Sequence, residues 1–356
     1  MKTLTERCLN IWNHVVQTPS QKPDRITIPN NHVDRVELGY PFQPDEHYFQ
    51  VRINEMYLTH KRKWFSVYDP MVFVVSEFIY DKKVEAVPFI VGPMMMRDYG
   101  KQMPGGMIFS DTRVAGVHPY RGGRLSLSVI LYQVERQNYA RELLQIVESV
   151  ATVLDFSTVL STYVKLANVV LDGVESLLGF DGTVPLIALR KEFDPDAGDK
   201  LEPTYFALID MPSTQLDQGT LWVRDNQLFS GESLATARPF RDADFVLYSI
   251  AQTTERGDVT TLPFYPLYEQ MTQDAMKPDE ISWKSAKANM MALAQKMVLS
   301  PDLTFAHANK LADQYTAAMV QMHKKAVDWS TLGASTTKAS PEVEKKLRQT
   351  VKILDL

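Results

Sequence analysis

The run Met71-Val72-Phe73-Val74-Val75-Ser76-Glu77-Phe78-Ile79-Tyr80 constrains the fold more than any other stretch of this chain. It is rich in β-branched and aromatic side chains and lacks a regular polar alternation. It therefore predicts a strand whose two faces are both covered. Asp81-Lys82-Lys83 predicts a hairpin turn into a second strand, Val84 to Val91. Tyr48 to Asn54 and Arg124 to Tyr132 alternate apolar and polar residues, the second after Gly122-Gly123. From Arg25 to Glu135 such runs follow one another with no helix between them, which favours an antiparallel sandwich or barrel. Gly92 to His118 holds Pro93, Met94-Met95-Met96, Gly100, Pro104-Gly105-Gly106 and Gly116, and reads as a long irregular loop. Pro104-Gly105-Gly106 and Tyr120-Arg121-Gly122-Gly123 read as turns before strands rather than as phosphate cradles.

Helical periodicity brackets this β-rich part. Residues 3–18 form an amphipathic pattern stopped by Pro19. Residues 137–178 read as two consecutive helices. The second, from Val159 to Leu178, is apolar over most of its circumference. It must be buried in the protein's own core or against a partner. Strands resume at Val184–Leu189, Tyr205–Ile209, Gly219–Val223 and Phe245–Ile250. From Leu267 the pattern is helical, with a helix start at Pro278-Asp279-Glu280 and a break at Ser300-Pro301-Asp302. Ser330 to Ser340 is small and polar and reads as a flexible linker, followed by a short charged helix from Pro341 to Leu354.

The expected class is α+β. An N-terminal helix and linker occupy 1–24. An antiparallel β-sandwich-like domain spans 25–262, with a helical hairpin inserted at 137–178. A helical domain follows at 263–329, and a tail at 330–356.

Charge and cysteine content narrow the functional classes. The 356 residues carry 38 Lys and Arg against 43 Asp and Glu, a net charge of −5, so no nucleic acid is expected as a partner. The single cysteine, Cys8, lies on an apolar helical stripe and reads as a buried hydrophobe, consistent with a reducing, cytoplasmic setting. The first residues do not read as a signal peptide. The most apolar stretch is interrupted by Lys165, Asp172 and Glu175, so no bilayer span is expected.

No residue pattern points to a particular catalytic chemistry. No two of the seven histidines are spaced i, i+4, and there is no cysteine pair, nucleophile elbow or phosphate-binding loop. No catalytic residue, metal ligand or cofactor is assigned. Asp194-Pro195-Asp196-Ala197-Gly198-Asp199 reads as an acidic hairpin tip that lacks the closing Glu of an EF-hand. The most cationic cluster, His60-Lys61-Arg62-Lys63-Trp64, makes Lys61, Arg62, Lys63 and Trp64 candidates for an anionic surface, including a membrane surface contacted without spanning.

The sixteen methionines are the most unusual feature of composition. Met suits adaptable binding surfaces, and the glycine-rich stretch is a poor place for core filler. Met94, Met95, Met96, Met103 and Met107 are therefore candidate protein contacts. Leu160, Val164 and Leu171 on the apolar helix join them.

Residues 48–92 resemble the start of a C2-type β-sandwich. An alternating strand ends at Tyr57-Leu58, Asp69-Pro70 opens a long strand, and Lys82-Lys83 leads to the next. The resemblance implies that Asp69 lies in a calcium-binding loop, through which some members of that family dock on acidic lipid. The family's later aspartates have loose counterparts only in Asp194 and Asp196. The succession Pro119-Tyr120-Arg121-Gly122-Gly123, strand, helix also resembles proteins of bacterial defence gene clusters, some of which are partners or substrates of caspase-like proteases. On that resemblance, Ser330–Ser340 would be a cleavage segment.

The function expected is a non-enzymatic protein-binding or adaptor component of a larger assembly. A calcium- or lipid-dependent docking protein and a hydrolase with a dispersed active site stand as alternatives.

Overall fold

The central strand expected from Met71–Tyr80 is present and longer than its apolar run, reaching from Ser66 to Tyr80. The computed structural model describes residues 3–16, 25–34, 40–59, 62–63, 66–92, 100–103, 106–135, 160–178 and 183–334. In chain order the strands are β1 (Arg25–Thr27), β2 (Tyr48–Tyr57), β3 (Arg62–Lys63), β4 (Ser66–Tyr80), β5 (Lys83–Val91), β6 (Gly100–Met103) and β7 (Gly106–Pro119). They continue with β8 (Leu125–Glu135), β9 (Thr183–Phe193), β10 (Thr204–Ile209), β11 (Leu221–Arg224), β12 (Gln227–Ser230), β13 (Arg238–Pro239) and β14 (Phe245–Thr253). The helices are α1 (Leu4–Val16), α2 (Leu160–Leu178), α3 (Tyr265–Ala275), α4 (Glu280–Val298) and α5 (Phe305–Ala334). The class is mixed α+β with three antiparallel sheets and a helical C-terminal region.

Two compact units result. One holds Met1–Leu262 together with Ser300–His307; the other holds Pro263–Leu299 and the chain from Ala308.

In the first unit β4 pairs with β5 on one side and β8 on the other, and β8 pairs with β9. The β4–β5 hairpin closes through Asp81 and Lys82, both at positive φ (45° and 65°), the handedness that a two-residue turn needs to match strand twist. A second sheet has the order β1-β10-β14-β2-β7-β6. Alternation in its strands divides their side chains between two cores. Phe206 and Leu208 of β10, with Val246, Tyr248 and Ile250 of β14, join the core that contains the β4 and β8 residues. Tyr205, Ala207, Ile209, Phe245 and Leu247 face the other way, onto Leu221, Val223 and Leu228 of the small β11-β12-β13 sheet.

The other face of the β4 sheet is covered by α1 and α2, which contact β5 and β9. Cys8, Ile11 and Val15 of α1 and Val170, Leu171, Val174 and Leu177 of α2 fill that layer. This is why β4 reads as apolar on both faces. Each such side chain, fully buried, stabilises the fold by about 1.5–3 kcal/mol.

The charges that interrupt α2 have a structural role. Arg7 of α1 donates to Asp172 (2.6 Å), Glu175 (3.0 Å) and Asn168 (3.1 Å) of α2. Helix α1 itself begins with a capping box: the Glu6 amide donates to Thr3 Oγ1 and the Thr3 amide to Glu6 Oε2. No described helix is long and apolar enough to cross a membrane.

Three expectations are corrected. The stretch read as a loop from Gly92 to His118 contains β6 and β7, which pair with each other, while β7 also pairs with β2. Its glycines were counted as loop formers, yet Gly116 (φ +97°) serves a close approach inside the sheet. A Cβ there would lie 2.3 Å from the Phe49 carbonyl oxygen. Second, β12 and β13 were not anticipated. Asp225 and Asn226, both at positive φ, form the β11–β12 turn. Third, α5 runs on through Ser330–Ala334, where a linker was expected. The Ser330 and Thr331 hydroxyls donate back to the Val327 and Asp328 carbonyls, so they do not compete with the helix. The first helix of the inserted hairpin, the linker beyond residue 334 and the short charged helix lie outside the described residues.

In the second unit, Asp279 caps α4 by accepting the Ser282 amide at 2.8 Å, as the Pro278-Asp279-Glu280 signal predicts. Ala286, Met290, Leu293 and Met297 of α4 are buried, as are Met271 and Ala275 of α3 and Leu311 and Met319 of α5.

Candidate functional site

The candidates from sequence fall in different places. Met94, Met95, Met96, Lys61 and Trp64 lie outside the described residues. Met103 ends β6 and Met107 is the second residue of β7, on the edge hairpin of the six-stranded sheet. Arg62 and Lys63 form β3 and pair with Val67 and Ser66. Leu160 and Val164 lie in the first turns of α2, where side chains are outside the description. Leu171 is corrected as a contact candidate. It is fully buried in the layer between α2 and the sheet, so it fills this protein's own core.

Asp69 is not at a loop tip. It lies within β4 opposite Val134 and is buried. Asp194 is turned to its own loop, accepting the Asp196 amide, and to Arg124. Among the described residues no three His, Cys, Asp or Glu side chains gather as a metal site. Burial pushes the Cys8 thiol up to about 12, with Glu77 adding to the effect, so it holds its proton.

The structure brings together two buried polar clusters that sequence reasoning missed. One fastens the segment Ser300–His307, which joins α4 to α5, into the first unit. Arg256 donates twice to Asp258 (2.6 and 3.0 Å) and once to the Asp302 carbonyl oxygen (2.7 Å). Tyr80 donates to Asp302 Oδ1 at 3.0 Å; burial, with the Asp302 carboxylate added, raises its pKa well above the ordinary phenol value. The Thr304 amide donates to the Tyr48 phenol oxygen (3.1 Å), which also shares a hydrogen bond with His307 Nδ1 at 2.8 Å. Arg121 pairs with Asp45 and donates to the Ser300 and Leu303 carbonyl oxygens. These groups satisfy one another and the main chain, which is the pattern of a fastening rather than of a site open to substrate.

The other cluster arises from a β-bulge. Leu247 and Tyr248 of β14 pair with Glu55 and Ile53 of β2, and the register skips Asn54. The bulge turns Asn54 and Glu55 both toward the small sheet. Asn54 donates to Asn226 (3.4 Å), which also accepts from the Tyr205 hydroxyl (3.1 Å). Glu55, with no exposed surface, accepts the Leu228 amide and an Arg241 N–H, both at 2.8 Å. Burial pushes the Glu55 carboxyl up to about 7 against the pull of Arg241 and the amide.

An accessible groove lies in the second unit. Met276, just past α3, and Met322, Lys325, Ala326 and Trp329 of α5 line a groove of about 550 Å³. The α5 residues are three, four and seven positions apart, so they share one helix face. Trp329 is 76% exposed and Met276 57%. The walls are braced. His323 stacks on Trp283 at 4.1 Å with an interplanar angle of 6°, and its Nδ1 lies 3.2 Å from the Lys277 carbonyl oxygen. Asp274 accepts from Ser285, Asn289 and Lys277, which ties α3 to α4. An apolar groove with a single cation on braced walls suits the apolar face of another helix better than a reacting substrate.

The chain matches no protein-family model, no curated protein and no solved structure.

Proposed function

We propose that the protein is a non-enzymatic binding component that takes an amphipathic helix of a partner protein into the groove of its helical unit. The carrying observation is Trp329. A tryptophan 76% exposed, beside two methionines on a braced face, is a costly surface unless something covers it. Thioether side chains adapt to the partner's apolar residues at small cost. Lys325 on the groove wall selects a helix that carries Asp or Glu beside its apolar stripe.

The test places a photo-reactive residue at Ala326 in the full-length protein inside cells. One partner should be trapped there and not from a control position at Gln314. Trp329→Ala should weaken binding of that partner by roughly thirtyfold or more, the range of about 2 kcal/mol for a central aromatic anchor. Equal trapping at both positions, no adduct, or unchanged affinity in Trp329→Ala with native circular dichroism would each overturn the reading.

A further inference from the structure

A second, smaller opening lies in the first unit, far in sequence from the groove just described. It is a cavity of about 270 Å³ between the end of β1 and the strand entering β10. Its floor is aromatic: Phe193 and Phe206, whose ring centroids are 6.1 Å apart, are both almost fully buried. Its rim is charged, with Lys200 and Glu202 among the lining residues.

Leu201 is buried in the main core and its carbonyl accepts the Phe42 amide. Its neighbours differ from it: Lys200 is exposed and Glu202 half-buried, and both line the cavity. Among the described residues neither has an ion-pair partner. Nearby charges are already paired, Lys191 with Asp199 at 3.6 Å and Arg124 with Glu192 and Asp194.

A hydroxyl completes the rim. Thr204 is buried, yet its Oγ1 lies 3.5 Å from both the Ile28 carbonyl oxygen and Asn30 Oδ1, the outer limit for a hydrogen bond. A ligand acceptor at ordinary distance would draw that proton away from both.

We infer that this cavity binds a small zwitterion, a free α-amino acid with an apolar side chain. The carboxylate meets the Lys200 ammonium and the Thr204 hydroxyl. The ammonium meets the Glu202 carboxylate. The side chain lies on Phe193 and Phe206. An unpaired cation and an unpaired anion two residues apart favour a ligand that carries both charges close together. The volume of about 270 Å³ lies just below the range of drug-sized ligand sites, about 300–1,000 Å³, and suits a ligand of amino-acid size.

The test is isothermal titration of the full chain with L-phenylalanine, L-leucine, phenethylamine and 3-phenylpropionate. At least one of the two amino acids should bind. The two analogues of L-phenylalanine that each lack one charge should bind about tenfold or more weakly than it. Lys200→Ala and Glu202→Gln lie on the rim and should keep the native fold. Each should weaken amino-acid binding by about tenfold. No heat with either amino acid at about 10 mM would overturn the proposal. So would binding of the single-charge analogues as tight as the amino acid, or rim variants that bind like the wild type.

Discussion

Arg256→Ala is expected to lower the unfolding free energy by about 3–5 kcal/mol, the cost of breaking a buried, hydrogen-bonded charge cluster from one side. Arg256 is almost fully buried, and it is the group on which Asp258 and the Asp302 carbonyl converge. Asp302 is buried as well, and its carbonyl oxygen loses the Arg256 donation when Arg256 is truncated. Urea denaturation reads the loss directly. Arg256→Lys should recover only part of it, because an ammonium cannot make the paired donation to Asp258. Hydrogen exchange locates it: the Thr304 and His307 amides, which donate to Tyr48 and to Thr304 Oγ1, should exchange faster in Arg256→Ala. A loss under about 1 kcal/mol would mean that this cluster does not fasten the segment.

The second expected result is a pH dependence with a defined sign. The Glu55 carboxyl sits at about 7 in the folded protein, against 4.5 as its ordinary value, because burial penalises its charged form. The folded state therefore holds this proton more tightly than the unfolded chain. Stability from this group is fully present below about pH 4.5 and is lost as pH rises through about 7. A shift of that size corresponds to about 3 kcal/mol. Glu55→Gln removes the titration while keeping an oxygen for the Leu228 amide. Urea unfolding between about pH 5 and pH 8 should give a falling stability in the wild type and a flatter line in Glu55→Gln. Parallel lines for the two proteins would assign the dependence to other groups.

Both clusters join residues that no local pattern connects. Tyr48 and His307 are 259 positions apart, and Glu55 and Arg241 are 186 apart. The sequence pattern assigns no role to His307, Arg256 or Glu55. The bulge that buries Glu55 becomes visible only when β14 is laid beside β2. Near the small sheet the sequence signals only the strand at Gly219–Val223; the turn at Asp225-Asn226, both at positive φ, falls between strands of only four residues each. The groove was not legible. Methionine usage points to Met94–Met107 as the contact surface, and nothing in the sequence separates Met276 and Met322 from core positions such as Met290 and Met297. That distinction depends on which face of a helix its neighbours cover.

Local chemistry alone determined the strand at β4 and its hairpin partner β5, the strands β8, β10 and β14, the helix α1 with Cys8 inside, and the start of α4 at Asp279. Each follows from side-chain periodicity, β-branching or capping over a few residues. Tertiary structure decided the rest. It made β7 a strand despite its glycines, because Gly116 lets the Phe49 backbone come close. It turned α2 inward through Leu171 and gave Asp172 and Glu175 to Arg7. It folded Ser300–His307 back onto the first unit. Those outcomes depend on which surfaces meet, and burial changes the worth of a charge or a glycine far more than its neighbours in sequence do.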